Sequence, residues 1–143
     1  MKEILKYKNC FVCGDENRCG LKVKFFEEKK VAKAEYVVDQ RFEGYKNVLH
    51  GGIISTLLDE VMIKAVLAKD LLAVTAQIEV KFKKPVMVGE KLFMEGRVKE
   101  KKGRIFLAEG KIINQDGVLV ALGSAKYVAA TEKMKELLEG SLK

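Results

Sequence analysis

A chain of 143 residues, 48% of them hydrophobic, has the length and apolar content of one globular domain, which excludes an intrinsically disordered protein. The formal net charge of +7 comes from lysines interleaved with glutamates, without a long basic block or any Trp, so nucleic acid is not an expected partner. No apolar run approaches the roughly 18 residues of a membrane span, and the first ten residues lack the apolar segment of a secretion signal. We therefore expect a cytoplasmic protein that does not bind membranes.

Three cysteines, Cys10, Cys13 and Cys19, lie close together near the N-terminus. An odd number in a chain without a secretion signal argues against a disulfide framework. Cys10 and Cys13 form a Cys-x-x-Cys pair, but no second pair follows to complete a tetrahedral zinc site, and His50 would supply a ligand only by leaving its own motif. The pattern favours reduced thiols in a loop over a metal site, and no cofactor is expected.

The first half of the chain is predicted to contain two strands and one buried helix. Residues 1–20 form a lead-in and a cysteine loop rich in turn residues. Alternation of apolar and polar residues predicts strands over 21–26 and 31–38, joined by a charged hairpin turn. Residues from about 51 to 68 are apolar almost all round, which predicts a buried helix of ~27 Å.

The second half is predicted to consist of strands, followed by a short helix. The strands are predicted over 72–86, 91–101, 104–114 and 118–128. Thr131 is expected to cap a tail helix within residues 129–143, with Gly140 at its end. The whole chain, 1–143, is therefore predicted to be a single α+β domain in which an antiparallel sheet of about six strands wraps around one long central helix.

The segment His50-Gly51-Gly52 opens the buried helix and contains the only His in the chain. A helix N-terminus has unpaired N–H groups and partial positive charge, and glycines leave room for a ligand to approach. The segment therefore predicts an oxyanion-binding site, although a tight junction between loop and helix would also explain the glycines. His50 is expected to be neutral and to shape the loop, and contact between His50 and the substrate remains open.

An acidic pair, Asp59-Glu60, interrupts the apolar run of the same helix. Glu60 has Lys64 four residues later, in the favourable orientation for a helix ion pair. Asp59 has no such partner on its small and apolar face, where a carboxylate is either buried at a cost or used in chemistry. Asp59 is therefore the predicted catalytic carboxylate, as general base or as nucleophile, with Glu60 as the alternative.

The spacing of these groups has a geometric consequence. His50 and Asp59 are nine residues apart, which corresponds to about 900° of rotation and ~13 Å along a helix. The two groups therefore point to opposite sides of the helix and cannot share a small site within one chain. If both serve one substrate, two chains must share the site across a two-fold dimer.

Several motifs together resemble the phenylacetate-type (PaaI-like) branch of the hotdog-fold acyl-CoA thioesterases, over about residues 10–128. They are His50-Gly51-Gly52, Leu57-Leu58-Asp59-Glu60, and the later pattern of Pro85, Gly89, Gly103, Asp116-Gly117 and Gly123. The opening Cys10-Phe11-Val12-Cys13-Gly14, with Asn17 and Gly20-Leu21, resembles a subgroup of that branch.

The resemblance implies a hotdog fold, a homodimer with a tetramer as a further possibility, and hydrolysis of acyl-CoA-like thioesters. The family's catalytic carboxylate falls on Asp59 and its oxyanion donor on the backbone N–H of Gly51. A hydroxyl that helps to hold water or the carboxylate in some members falls on Thr75. Some members carry an Asn six residues before the His. This chain has Gly44 there, so that role is either vacant or moved to Asn47 or Gln40.

Further residues are expected to contact the substrate because of their place beside the helix or their charge. Acyl-CoA carries phosphates, so lysines at the end of the long strand are candidates, and side chains along the helix would border the acyl group. The predicted substrate-binding residues are Asn47, Gly52, Glu60, Met62, Lys83 and Lys84. The alternative function from another class is a non-catalytic acyl-CoA-binding or regulatory module, against which Asp59 weighs. A hotdog dehydratase would need a differently spaced His and acid, a spacing that this chain does not have.

Overall fold

The computed structural model describes residues 1–142 of the chain, which form an antiparallel sheet packed around one long helix. In chain order the elements are β1 (Lys2–Glu3), β2 (Phe25–Glu28), β3 (Val31–Val37), a short 3-10 helix (Gln40–Phe42), α1 (Gly51–Leu67), β4 (Ala73–Phe82), β5 (Lys91–Lys102), β6 (Ile105–Asn114), β7 (Leu119–Ala129) and α2 (Glu132–Ser141).

The strands of residues 1–142 form one seven-stranded sheet in the order β1-β2-β3-β5-β6-β7-β4, with every neighbouring pair antiparallel. β4 follows α1 in the chain but lies at the far edge of the sheet, where it pairs with β7 on one side and leaves its other side free. The predicted hotdog arrangement is confirmed, and the seventh strand is the two-residue β1.

The helix α1 forms the centre of the core because apolar side chains cover most of its surface. It packs against β3, β4, β5, β6 and β7, and Leu57, Leu58, Val61 and Met62 are fully buried. Within residues 1–142, no helix is long and apolar enough to cross a lipid bilayer.

The prediction of a strand over 21–26 is wrong in position, because β2 spans Phe25–Glu28. Leu21 and Val23 are buried as the alternation indicates, but their N–H groups donate to Phe11 and Val12 of the cysteine loop and not to a sheet strand. The alternation therefore reflects burial against a loop.

Two other boundaries follow from local chemistry. β4 ends at Phe82, earlier than predicted, because the chain leaves the sheet towards Pro85, which has no N–H to donate. The predicted cap of the tail helix is confirmed, since the Thr131 hydroxyl accepts the Met134 N–H at 3.3 Å. The last residue of the predicted tail, Lys143, lies outside the described residues.

Three glycines lie side by side on the central strands beneath α1. Gly96 of β5 pairs with Gly110 of β6, which pairs with Gly123 of β7. A Cβ on Gly96 would lie 2.5 Å from the backbone oxygen of Val61, and a Cβ on Gly110 would lie 3.0 Å from Cγ of Met62. The glycine row therefore allows the helix backbone to approach the sheet closely.

Replacing Gly96 by Ala is expected to lower the free energy of unfolding by about 1–3 kcal/mol, because the methyl group would overlap a backbone carbonyl that cannot rotate away. Urea denaturation would measure the loss. The matched control is Gly140→Ala in α2, where a Cβ meets no atom within 4 Å and where Ala favours the helix. Equal shifts of the two unfolding midpoints would contradict this role of Gly96.

Candidate active site

The N-terminus of α1 is capped by the side chain of His50. Its Nδ1 accepts the Gly52 N–H at 2.8 Å, while the His50 carbonyl accepts the N–H groups of Ile53 and Ile54. A ring nitrogen that accepts an N–H carries no proton, which leaves Nε2 as the nitrogen that bears the ring N–H. No acceptor within residues 1–142 takes the N–H of Gly51. Of the two glycine donors, Gly51 is therefore the one that remains available to a ligand.

The exposed residue Gly51 opens onto a cleft of about 790 Å³ between the His50 loop and the chain that leaves β4. Phe82 forms one wall, and a Cβ on Gly51 would lie 3.6 Å from its ring. Lys83 and Lys84 also line the cleft and are exposed, so cationic groups lie on the same side of the molecule as the helix N-terminus.

The loop before α1 is shaped by backbone contacts. A Cβ on Gly44 would lie 3.2 Å from the Cα of His50, so this position has little room for the Asn that some family members carry. Asn47 adopts a left-handed conformation with φ of 62°, and its N–H donates to Glu43 Oε2 at 2.8 Å. Asn47 thus holds the loop through its backbone, and its contact with a substrate stays a prediction.

The Asp59 side chain is held by two hydroxyl groups. Tyr127 donates to Asp59 Oδ1 at 2.9 Å and lies 3.0 Å from the Asp59 carbonyl oxygen, and the Thr75 hydroxyl lies 3.1 Å from Oδ1 and 3.3 Å from Oδ2. Burial, followed by the charge of Asp59, raises the pKa of Tyr127 far above its ordinary value, so this phenol remains a donor at neutral pH. The carboxylate therefore has a fixed orientation.

The sheet explains why these two hydroxyls meet. Thr75 of β4 and Tyr127 of β7 are directly paired, and the β4–β7 register shifts just after Thr75, between Thr75 and Gln77. The sequence pointed to Thr75, but it did not indicate Tyr127. A tyrosine on an inward-facing position of the last strand could have indicated a buried hydroxyl. Only the strand register shows that this hydroxyl reaches Asp59.

Asp59 and the cleft at Gly51 are separate within one chain. Thr75, which contacts Asp59, and Phe82, which lines the cleft, are seven residues apart on β4, or on the order of 20 Å at ~3.3 Å per residue. The Asp59 carboxylate and the Gly51 N–H therefore lie towards opposite ends of β4, the edge strand of the sheet.

Glu60 lies on another face of α1, beneath the N-terminal segment. Its Oε2 is 3.7 Å from Lys64 Nζ, so the predicted helix ion pair is confirmed, but this pair is buried, with side-chain exposures of 12% and 1%. Burial raises the pKa of Glu60 to about 7. Cys10 Sγ also lies 3.7 Å from Glu60 Oε2, a contact that the sequence did not indicate. A role for Glu60 in substrate binding stays a prediction.

Met62 is fully buried between α1 and the sheet, where its side chain lies against Gly110 and Gly123. In this position it fills the core beneath the helix. Its predicted contact with the substrate also stays a prediction.

Comparison with known proteins adds a family and a fold. The sequence profile of the thioesterase superfamily matches residues 46–121, a stretch that contains His50, Asp59 and Thr75. No protein with a curated functional description matches the chain.

Solved structures of thioesterases share the fold. A thioesterase superfamily protein superposes with a TM-score of 0.80 at 23% identity, over 85% of this chain, which spans only 63% of that protein's length. The E. coli PaaI protein from the phenylacetic acid degradation operon gives 0.72 at 21% identity, over 78% of this chain and 81% of PaaI. A hypothetical thioesterase from Streptococcus pneumoniae TIGR4, crystallised with coenzyme A, superposes with a TM-score of 0.72 at 19% identity. The match covers 76% of this chain and 88% of that protein.

At these identities the structural likeness shows the fold, and the resemblance to hotdog thioesterases predicted from the sequence is confirmed at that level. The resemblance of the Cys10–Gly14 segment to a subgroup stays a prediction. Because the superfamily profile matches more than half of the sequence, the chain belongs to the thioesterase superfamily.

Proposed function

We propose that the protein hydrolyses acyl-CoA-like thioesters to a free acid and a thiol. The observation that carries the proposal is the Asp59 carboxylate, which two hydroxyls orient on a mostly apolar helix. A module that only bound acyl-CoA would have no use for an oriented carboxylate there. Membership of the thioesterase superfamily and a structural neighbour crystallised with coenzyme A support the same substrate class.

In the proposed reaction, Asp59 acts either on water or on the thioester itself. As a general base, its carboxylate takes a proton from water while the water oxygen attacks the thioester carbonyl carbon. The tetrahedral intermediate then collapses, the C–S bond breaks, and the thiolate leaves and takes up a proton. As a nucleophile, the carboxylate attacks the same carbon, expels the thiolate and forms an anhydride that water then cleaves.

The negative charge that develops on the carbonyl oxygen needs a donor, and we assign this role to the Gly51 N–H. Among residues 1–142 this N–H has no acceptor, it is exposed at the positive end of α1, and His50 already occupies the neighbouring donor on Gly52. One such donor is worth about 3 kcal/mol, or ~10²–10³ in rate. Lys83 and Lys84 in the same cleft are placed to meet phosphate groups of the substrate.

A homodimer would bring the two separated groups together. The free edge of β4 carries the partly or fully exposed apolar side chains Ile78, Val80 and Phe82, and such an edge favours pairing with a second strand. If two β4 strands pair antiparallel about a two-fold axis at Glu79, Ile78 lies opposite Val80 of the partner subunit on the same face, and the bulge after Thr75 sets Thr75 opposite the partner's Phe82. Each active site would then combine Asp59 from one chain with Gly51 from the other.

The first prediction concerns the carboxylate. Asp59→Asn should lower kcat for thiol release from acyl-CoA esters by ~10²–10⁴, because the amide cannot take up a proton or form an anhydride. The assay measures free thiol over a panel of esters. Asp70→Asn, at an exposed position just after α1, is the matched control and should keep full activity. Full activity of Asp59→Asn would refute the mechanism, and no turnover of any ester by the unaltered protein would favour the binding module.

The second prediction concerns the two hydroxyls, which we propose to be positioning groups. Tyr127→Phe and Thr75→Val should each lower kcat by ~10–100-fold with little change in KM, because a hydrogen bond to a charged group is worth about 1.5–3 kcal/mol. Tyr36→Phe is the control, since it removes another buried tyrosine hydroxyl, one whose partner is the Asp39 N–H. An equal loss of kcat in Tyr36→Phe and Tyr127→Phe would contradict the proposed role.

The third prediction tests the shared site by complementation. Gly51→Pro removes the proposed donor at the first position of α1, where Pro is tolerated, and the extended conformation of His50 suits the residue before a proline. Gly51→Pro and Asp59→Asn should each be nearly inactive as homodimers. When the two variants are refolded together in equal amounts, about a quarter of the unaltered activity should return, because half of the dimers contain one intact site.

Refolding Asp59→Asn with the double variant Gly51→Pro/Asp59→Asn provides the control, because no combination of these chains restores a site. No recovery in the main mixture, despite mixed dimers detected by mass, would show that each chain holds its own complete site.

A further inference from the structure

We propose that Cys10, Cys13 and Glu60 form a binding site for one zinc-class divalent cation, which ties the N-terminal loop to α1. The two Sγ atoms and a carboxylate oxygen of Glu60 all lie within 4.8 Å of one another. The three residues come from segments about fifty positions apart in the chain, so the fold itself brings them together. The proposal does not depend on the proposed hydrolysis.

One of the three separations between the ligand atoms matches a tetrahedral centre, and the other two are within 4.8 Å. With metal–sulfur bonds of ~2.3 Å and metal–oxygen bonds of ~2.0–2.2 Å, neighbouring ligand atoms in a tetrahedron lie about 3.5–3.8 Å apart. Cys10 Sγ and Glu60 Oε2 are 3.7 Å apart, which already matches an edge of that tetrahedron. Two sulfur ligands and one oxygen favour zinc over magnesium or calcium, and three protein ligands leave the fourth position for water.

The loop holds both sulfurs in place. Cys10 Sγ accepts the Val12 N–H at 3.3 Å, and Cys13 is fully buried. Gly14 closes the loop with its N–H on the Cys10 carbonyl at 2.9 Å, where any larger residue would collide with Lys8 O, since a Cβ would lie 2.6 Å from that atom. N–H donors to a ligating sulfur orient and stabilise metal ligands.

The charges of the cluster balance when a divalent cation is bound. Lys64 is only 1% exposed, its Nζ lies 3.7 Å from Glu60 Oε2, and it donates to the Leu5 carbonyl at 2.6 Å. Two thiolates and one carboxylate carry three negative charges, which a divalent cation and the Lys64 ammonium neutralise. A buried group of charges is tolerated when it is neutral overall and hydrogen-bonded. Lys64 therefore supplies a counter-charge to the proposed site.

The test is a titration of the metal-free, reduced protein with Co²⁺, which reports sulfur ligation by a thiolate-to-cobalt charge-transfer absorption. We expect the band to saturate at about one Co²⁺ per chain, Zn²⁺ to displace the Co²⁺, and Zn²⁺ to raise the Tm. Cys10→Ser should abolish the band. Glu60→Gln should weaken Co²⁺ binding by at least about tenfold, because a neutral amide is a poor ligand.

Cys19→Ser is the matched control, since Cys19 is an exposed thiol of the same loop outside the cluster, and it should bind Co²⁺ as the unaltered protein does. No saturable band in the unaltered protein would overturn the proposal. Unchanged binding in Cys10→Ser would overturn it as well. If Cys10→Ser lacks the circular dichroism of the native fold, the unaltered protein and Glu60→Gln decide the outcome.

Discussion

The close contact between α1 and the sheet determines where every polar group of this helix points. Val61 lies against Gly96, so the helix can neither rotate nor lift away without creating a void or a collision. Successive residues of a helix differ by about 100° in direction. Leu58 therefore packs on the sheet, Asp59 faces Tyr127, and Glu60 lies beneath the N-terminal loop. Three neighbouring positions thus serve packing, the proposed chemistry and the proposed metal site.

A helix at the centre of a core can carry carboxylates only when each one is satisfied. Asp59 receives two hydroxyl donors from the strands, while Glu60 receives the ammonium group of Lys64 and the thiol of Cys10. Within residues 1–142, no buried side-chain nitrogen or oxygen lacks a hydrogen-bond partner. The two acids differ in their surroundings. The side chains that contact the Asp59 carboxylate are hydroxyls, whereas Glu60 forms a buried ion pair with Lys64. This difference supports Asp59, and not Glu60, as the proposed reacting group.

Local patterns predicted the elements whose partners are near in sequence or uniform in character. The apolar run predicted α1, Thr131 predicted the cap of α2, and the i, i+4 spacing predicted the contact of Glu60 with Lys64. The strand over 21–26 was misplaced because a residue buried by a loop has the same alternation as one buried by a sheet.

Contacts between distant segments could not be predicted in the same way. Tyr127 meets Asp59 only through the β4–β7 register, which no local pattern specifies. Cys10 meets Glu60 only because the N-terminal loop folds back over α1. The sequence thus identified Asp59 and Glu60 as the acids of interest, and only the tertiary contacts distinguish their environments.

The edge strand β4 connects the local geometry to the proposed dimer. The register shift between Thr75 and Gln77 bends the strand locally, and bulges of this kind end regular pairing at a sheet edge. At the other end, the chain leaves the sheet after Phe82. The regular part of the free edge is therefore short, from Gln77 to Phe82, and a second β4 strand has few registers available. The register centred on Glu79 keeps most of this segment paired. It also places the bulge, where Thr75 meets Asp59, beside the Gly51 cleft of the partner subunit. The irregularity that turns Thr75 towards Asp59 would thus also determine which residues meet across the dimer.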